Sequence, residues 1–384
     1  MNKFTHLVMP LLWLPSLTVV ATNGPNTEDL YQQNCAACHG ADRLGLVGPA
    51  LLPENLKRLR KKSAIETITT GRPATQMPPF GEKLTTAQIS TLVDHIYSPL
   101  PDVPNWTEVE ISNSHKQFVP LNQLPTQPQH SADPLNLFFV VEAGDHHATI
   151  LDGDKLEPIT RFKTRFALHG GAKYSPDGRF VYFATRDGWV TLFDLHSMQQ
   201  VAEIRAGINT RNIAISSDGK LVAVGNYLPH NLVLLNANDL SLNTIIPVKS
   251  HGESSRVSAV YDAAPRKSFI LALKDLPEIW EIPYEAGKTG GWQHDYRTDA
   301  AEGNPRFTPR IIKLKTPLDD FFFDQEYVFI MGASRSGGGA VIDLDLGRKV
   351  ADLALDGMPH LGSGITWQRG EQTIMATPNL RKGA

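Results

Sequence analysis

The sequence predicts a small all-α domain followed by an all-β domain of propeller type, with a proline-rich stretch between them. Three observations carry this. In the first hundred residues the apolar positions recur at helical spacing, most clearly Ile89, Leu92, Val93 and Ile96 within Thr86 to Tyr97. From Ser98 to Pro134, prolines 99, 101, 104, 120, 125, 128 and 134 interrupt any period. Beyond that, short β-branched and aromatic runs alternate with Asp-Gly turns, and self-similarity sets in at a period near 40. The 384 residues suit about two domains, and a net charge of −3 with mixed signs gives no case for nucleic acid.

Residues 1–21 read as a secretory signal. Lys3 precedes a mostly apolar run from Leu7 to Val20, and Val19-Val20-Ala21 offers small residues for cleavage. The run is short and proline-interrupted for a membrane span, leaving an uncleaved anchor as the alternative. Next comes Cys35-Ala36-Ala37-Cys38-His39, which contains both cysteines of the chain. CxxCH is the pattern of covalent c-type heme attachment: two thiols add across the vinyl groups and the adjacent His39 binds iron. A Cys35–Cys38 disulfide is the redox alternative, but such a motif belongs at a strand-to-helix junction, whereas these flanks read as helix. Heme c is attached after export in bacteria, so both signals point to the periplasm and argue against stable membrane insertion.

A second axial ligand is expected 39 residues after Cys38, at Met77 in the stiff segment Ala74-Thr75-Gln76-Met77-Pro78-Pro79-Phe80. The competing readings are a gap-filling core methionine and ligation by His95, which lies on the helical Thr86–Tyr97 segment. Asn26 to Cys38 reads as the opening helix and Glu54 to Thr70 as a middle stretch. The basic run Lys57-Arg58-Leu59-Arg60-Lys61-Lys62 is a solvated face or a dock for an acidic redox partner. With Gly40 and Gly48-Pro49-Ala50, these motifs resemble a class I cytochrome c domain over residues 24–100, joined by a linker, 101–135, that wraps on a surface.

The β domain is placed at 136–384. Leu151-Asp152, Phe193-Asp194 and Leu235-Asn236 end comparable strands 42 residues apart, and the turns Pro176-Asp177-Gly178 and Ser217-Asp218-Gly219 are 41 apart. Four strands per period is the pattern of propeller blades, with a β-sandwich as the alternative. Later units end near Glu281 and Asp343, with an insertion at Pro283 to Pro309. His169 and Arg211 fall just before the innermost strands of successive blades and converge over the central channel. Arg186 and Tyr227 are likewise mutually equivalent. Each alone has a bland explanation as surface cover or a hydrogen-bonded structural group; their shared register is what suggests a second iron macrocycle bearing carboxylates.

Both halves together resemble the cytochrome cd1 family, which includes the nitrite reductases and the dihydro-heme d1 dehydrogenases. The better segments are Leu151-Asp152-Gly153, Ala167-Leu168-His169, Arg186-Asp187-Gly188 and Met358 to Gly364. The resemblance implies that His169 is the proximal ligand of the d1 iron, and that Arg186, Arg211 and Tyr227 hold its carboxylates. Nitrite reductases place two histidines on the distal side. His360 fits one of them, while Leu318, by register from Ala340-Val341-Ile342-Asp343, stands where the other would be, and an apolar residue donates no proton to nitrite.

That departure favours the dehydrogenase branch: oxidation of dihydro-heme d1, propionate to acrylate, with His360 as distal ligand or base, Asp319 or Asp320 as a carboxylate base, and heme c taking electrons singly. Nitrite reduction and a non-enzymatic heme d1 carrier are the alternatives. The implied partners are a periplasmic electron donor or acceptor and a nitrite reductase receiving heme d1. The family implies eight blades, and the count from Phe138 to Arg381-Lys382-Gly383-Ala384 reaches five or six, so the propeller is expected to be C-terminally incomplete.

Overall fold

The computed structural model describes residues 26–57, 59–73, 75–102, 104–286 and 306–379. The signal segment, Arg58 of the basic run, Ala74, most of the Pro283–Pro309 insertion and the terminal Arg381–Ala384 lie outside the described residues.

The α domain begins with α1 (Thr27–Asn34), capped by the Asn26 side chain, which accepts from the Asp29 amide. The opening helix does not run unbroken to Cys38: it breaks at Cys35 (φ −119°) before α2 (Ala36–His39). The expected middle stretch is likewise two helices, α3 (Pro53–Leu56) and α4 (Lys61–Thr70), with part of the basic run between them. A reciprocal Thr85–Gln88 capping box starts α5 (Thr86–Ile96), whose Ile89, Leu92, Val93 and Ile96 pack on Leu30, Tyr31, Ala64 and Ile68. Met77 lies against this core.

The linker holds structure that its prolines obscured. A second capping box, Thr107 with Glu110, opens α6 (Glu108–Ser114), and Ile111 is fully buried among Leu192, Ile204 and Val222. Then β1 (Lys116–Gln117) adds to the edge of a later sheet by pairing with β8, described next.

Antiparallel sheets follow in chain order. The first has three strands, β2 (Leu137–Glu142), β3 (His147–Asp152) and β4 (Glu157–Lys163). The second has β5 (Leu168–Tyr174), β6 (Phe180–Thr185), β7 (Trp189–Asp194) and β8 (Gln199–Arg205). The third has β9 (Asn209–Ile215), β10 (Leu221–Leu228), β11 (Asn231–Asn236) and β12 (Leu242–Pro247), followed by the short hairpin β13 (Lys249–Ser250) and β14 (Glu253–Ser254). The fourth comprises β15 (Val257–Ala263), β16 (Ser268–Leu273), β17 (Glu278–Pro283) and β18 (Arg310–Lys313). The fifth comprises β19 (Asp320–Phe323), β20 (Phe329–Ala333), β21 (Gly339–Asp343) and β22 (Arg348–Leu353). A hairpin of β23 (Ile365–Arg369) and β24 (Gln372–Ala376) closes the described chain. Each four-stranded sheet is a meander, as in a propeller blade, and apolar residues of neighbouring sheets share cores.

The 42-residue period marks the ends of β3, β7 and β11. His169 and Arg211 stand inside β5 and β9, not before them as the turn count suggested. Pairing in β5 slips between His169 and Lys173, where Gly170 and Gly171 take φ of 91° and 70°. In β10 the register moves from Asn226 to Leu228 and leaves Tyr227 as the extra residue. These bulges re-aim side chains at one end of the sheets.

Ile111→Ala is predicted to lower stability by about 2–4 kcal/mol, read as a fall in the unfolding midpoint of the β domain. An unchanged midpoint would show α6 to be mere linker.

Candidate functional sites

At the α-domain site, Cys35 ends α1 and Cys38 sits on α2, both as free thiols, so the disulfide alternative is not what the fold contains. Burial, reinforced by the neighbouring Cys38, pushes the Cys35 thiol up to about 11. His39 is buried, and its Nδ1 donates to the Pro49 carbonyl at 2.8 Å, which leaves Nε2 as the nitrogen with a lone pair. Gly48 packs flat against the imidazole, where any Cβ would collide with Cε1. The Met77 loop turns back at Gly71 (φ 74°), whose missing side chain leaves room for the Met77 carbonyl and Pro79. A preset imidazole, paired thiols and a loop-borne thioether fit heme c. His95 is engaged elsewhere: its ring meets that of Tyr31 at 5.3 Å, tilted by 49°, and faces Glu28 at 3.7 Å.

In the β domain the bulged strand ends meet. His169 Nδ1 donates to the Arg211 carbonyl (3.0 Å), and His169 Nε2 accepts from Arg186 (2.9 Å) and Arg211 (3.2 Å). Arg211 also reaches His360 Nε2 at 3.4 Å. His360 Nδ1 lies 2.6 Å from Ser363 Oγ and 3.3 Å from Asp320 Oδ2. Residues 191 positions apart in sequence thus form one chain, His169–Arg211–His360–Asp320, wider than a direct contact between the histidines. Tyr227 presents its ring to Arg256 (5.4 Å), Lys274 (5.5 Å) and Arg186 (6.0 Å).

The two acidic residues separate. Asp320 backs His360 and also accepts from the Tyr261 hydroxyl (2.8 Å) and the Gly362 amide (2.9 Å). Burial, and then the Asp320 charge, pushes the Tyr261 phenol well above its ordinary value. Asp319 is instead locked in ion pairs with Lys274 and Arg335. Burial alone would raise its carboxyl, but hydrogen bonds from Arg335 and Lys274 outweigh that and hold it below the usual range. It is no free base. Leu318 is buried in the core shared with Ala259, Phe321 and Ile330, so its apolar character serves packing.

Sequence reasoning missed Arg256, Lys274, Arg335 and Tyr261. A signal existed: Lys274 follows β16 directly, as Arg186 follows β6, and Arg335 comes two residues after β20.

A family model for the cytochrome D1 heme domain matches residues 132–384, and one for subunit III of cbb3-type cytochrome c oxidase matches residues 23–96. A dihydro-heme d1 dehydrogenase of Pseudomonas aeruginosa is 54% identical over 358 residues, spanning 93% of this chain and 69% of that protein. The chain belongs to the dihydro-heme d1 dehydrogenase family. A solved structure of a family member, a dihydro-heme d1 dehydrogenase in complex with DHE, superposes with a TM-score of 0.84 at 54% identity, covering 92% of this chain and 73% of that one. A nitrite reductase of Stutzerimonas stutzeri is more distant, 25% identical over 364 residues, 89% of this chain and 62% of its own. This family member therefore combines a cytochrome c domain with a D1 heme domain.

Because the folded pKa of Asp319 lies below its ordinary 3.8, its ion pairs stabilise above that pH and are lost as pH falls through the folded value. Asp319→Asn is predicted to cost about 1.5–3 kcal/mol at pH 7. In denaturant titrations at graded pH, the gap to wild type should close below pH 3.8; a pH-independent gap would contradict the assignment.

Proposed function

We propose that this protein oxidises dihydro-heme d1 to heme d1 at the His169–Arg211–His360 cluster, removing two protons and two electrons from a propionate side chain to leave an acrylate. The observation that carries this reading is the pairing of His360 with Asp320 within one guanidinium of His169. His169 Nε2 would bind the macrocycle's iron, and Arg186 and Arg211, now donating to that nitrogen, would turn with Tyr227 to its carboxylates, while Arg256 and Lys274, held by Asp275 and Asp319, add positive charge beside them. His360 takes a proton at Nε2 while Asp320 and Ser363 hold its Nδ1. Heme c, which Cys35, Cys38, His39 and Met77 would hold, would take the two electrons one at a time and pass each to the external acceptor, and the second proton would leave to solvent.

Nitrite reduction lacks support here, since the position expected for a second distal imidazole is the buried Leu318. A pure carrier would have no use for the carboxylate behind His360. The D1 domain, 136–384, is read as a β-propeller of the eight-bladed type. The four complete meanders support that reading. The setting proposed is the periplasm, with a soluble redox partner for heme c and a nitrite reductase as recipient of heme d1. Among the described residues no helix is long and apolar enough to cross a membrane.

Anaerobic incubation of the protein with dihydro-heme d1 and an electron acceptor tests this. The acrylate product is expected, with conversion falling about 100-fold or more in His360→Ala and about tenfold in Asp320→Asn. Tight binding without conversion would establish a carrier, and nitric oxide from nitrite a reductase; either overturns the proposal.

A further inference from the structure

Arg205 ends β8, outside either set of proposed ligands, yet it is 4% exposed and bonded through all three of its side-chain nitrogens. Its Nε donates to the Asp187 carbonyl at 2.9 Å, its Nη1 to the Gly45 carbonyl at 3.2 Å and its Nη2 to the Leu44 carbonyl at 2.5 Å. The guanidinium stacks on Trp106 at 4.5 Å, and the Trp106 indole donates back to the Arg205 carbonyl at 2.8 Å. Ser114, at the end of α6, accepts from the Arg205 amide at 2.8 Å. Burying an arginine on three backbone carbonyls costs desolvation that simple domain packing does not require, since apolar residues would cover the same surface more cheaply.

The partners explain the choice. Gly45 belongs to the loop that follows His39; its amide donates to the His39 carbonyl, as the Gly48 amide does to that of Cys38, both at 2.8 Å. Asp187 belongs to the turn after β6, where the preceding residue, Arg186, donates to His169. A continuous path therefore runs from His39 through Gly45, Arg205 and Asp187 to Arg186 and His169, and it crosses between domains at this guanidinium. Beside it, Ala50 and Leu52 pack on Ile208 and Leu228, and a longer bond from the Asn55 side-chain amide to the Ile208 carbonyl, 3.3 Å, adds a neutral polar contact.

We infer that Arg205 is the positioning residue that locks the loop following the CxxCH motif to the turn bearing Arg186, and so holds the two redox sites in fixed register for electron transfer between them. This rests on the proposed oxidation for its electron source; the locking itself does not. Arginine is suited to the task because a planar fork addresses three carbonyls at once, which lysine cannot do.

Two measurements on the heme-c-loaded protein and its Arg205→Lys and Arg205→Met variants test it. Hydrogen exchange without dihydro-heme d1 should show at least tenfold faster exchange at the Gly45, Gly48 and Gly188 amides, with the c-type absorption spectrum and unfolding midpoint near wild type. Stopped-flow mixing with dihydro-heme d1 should show at least tenfold slower arrival of electrons at heme c, while reduction by ascorbate keeps its rate. Wild-type exchange at both loops in either variant overturns the lock, whatever the enzyme oxidises. Faster exchange with an unchanged rate of electron arrival overturns its role in transfer. A wild-type protein whose heme c is never reduced by dihydro-heme d1 refutes the proposed function instead, and the exchange result still decides the lock.

Discussion

Both sites depend on a backbone carbonyl that fixes an imidazole. Pro49 receives the Nδ1 proton of His39 and Arg211 that of His169, at 2.8 and 3.0 Å. Each bond selects one tautomer and directs the other nitrogen's lone pair outward. A histidine left to rotate would lose that direction. Arg211 carries the larger burden, because its carbonyl orients His169 while its side chain spans His169 and His360, so the position of β9 sets the geometry of the whole cluster.

The chain accommodates this by breaking its own regularity where the sheets end. The Gly170-Gly171 bulge releases His169 from the ladder, and the slip around Tyr227 turns that ring among three cations. The positive charge gathered there is partly answered within the protein, by Asp275 on Arg256 and by Asp319 on Lys274 and Arg335. Arg186 and Arg211 instead rest on histidine nitrogen. An anionic macrocycle would give those two guanidinium groups charge-assisted partners stronger than a neutral ring.

Much of this was legible in the sequence, for definite physical reasons. CxxCH announces itself because covalent attachment tolerates little variation in spacing, and Met77 stood out only by the prolines that flank it. The 42-residue repeat survives because each sheet must bury the same face against its neighbour, and it placed His169, Arg186, Arg211 and Tyr227 at one end. What escaped was whatever breaks a period. Proline spacing hid α6, although the Thr107–Glu110 capping box was visible. Counting from turns placed His169 ahead of its strand because a bulge adds residues that a count cannot see. Between adjacent aspartates, alternation along a strand sends the two side chains to opposite faces, so only the structure separated Asp320 behind His360 from Asp319 in its ion pairs. Arg205 carried no sequence signal, since its guanidinium bonds to backbone carbonyls, which no residue type announces.

The account stands most directly on His169 as the group that receives iron in the β domain. An anaerobic optical titration of the heme-c-loaded protein with dihydro-heme d1, wild type against His169→Ala, measures this. The account predicts that the variant binds at least tenfold more weakly and that its bound chromophore lacks the spectral signature of an axial imidazole. Equal affinity with an identical bound spectrum in both proteins would contradict it.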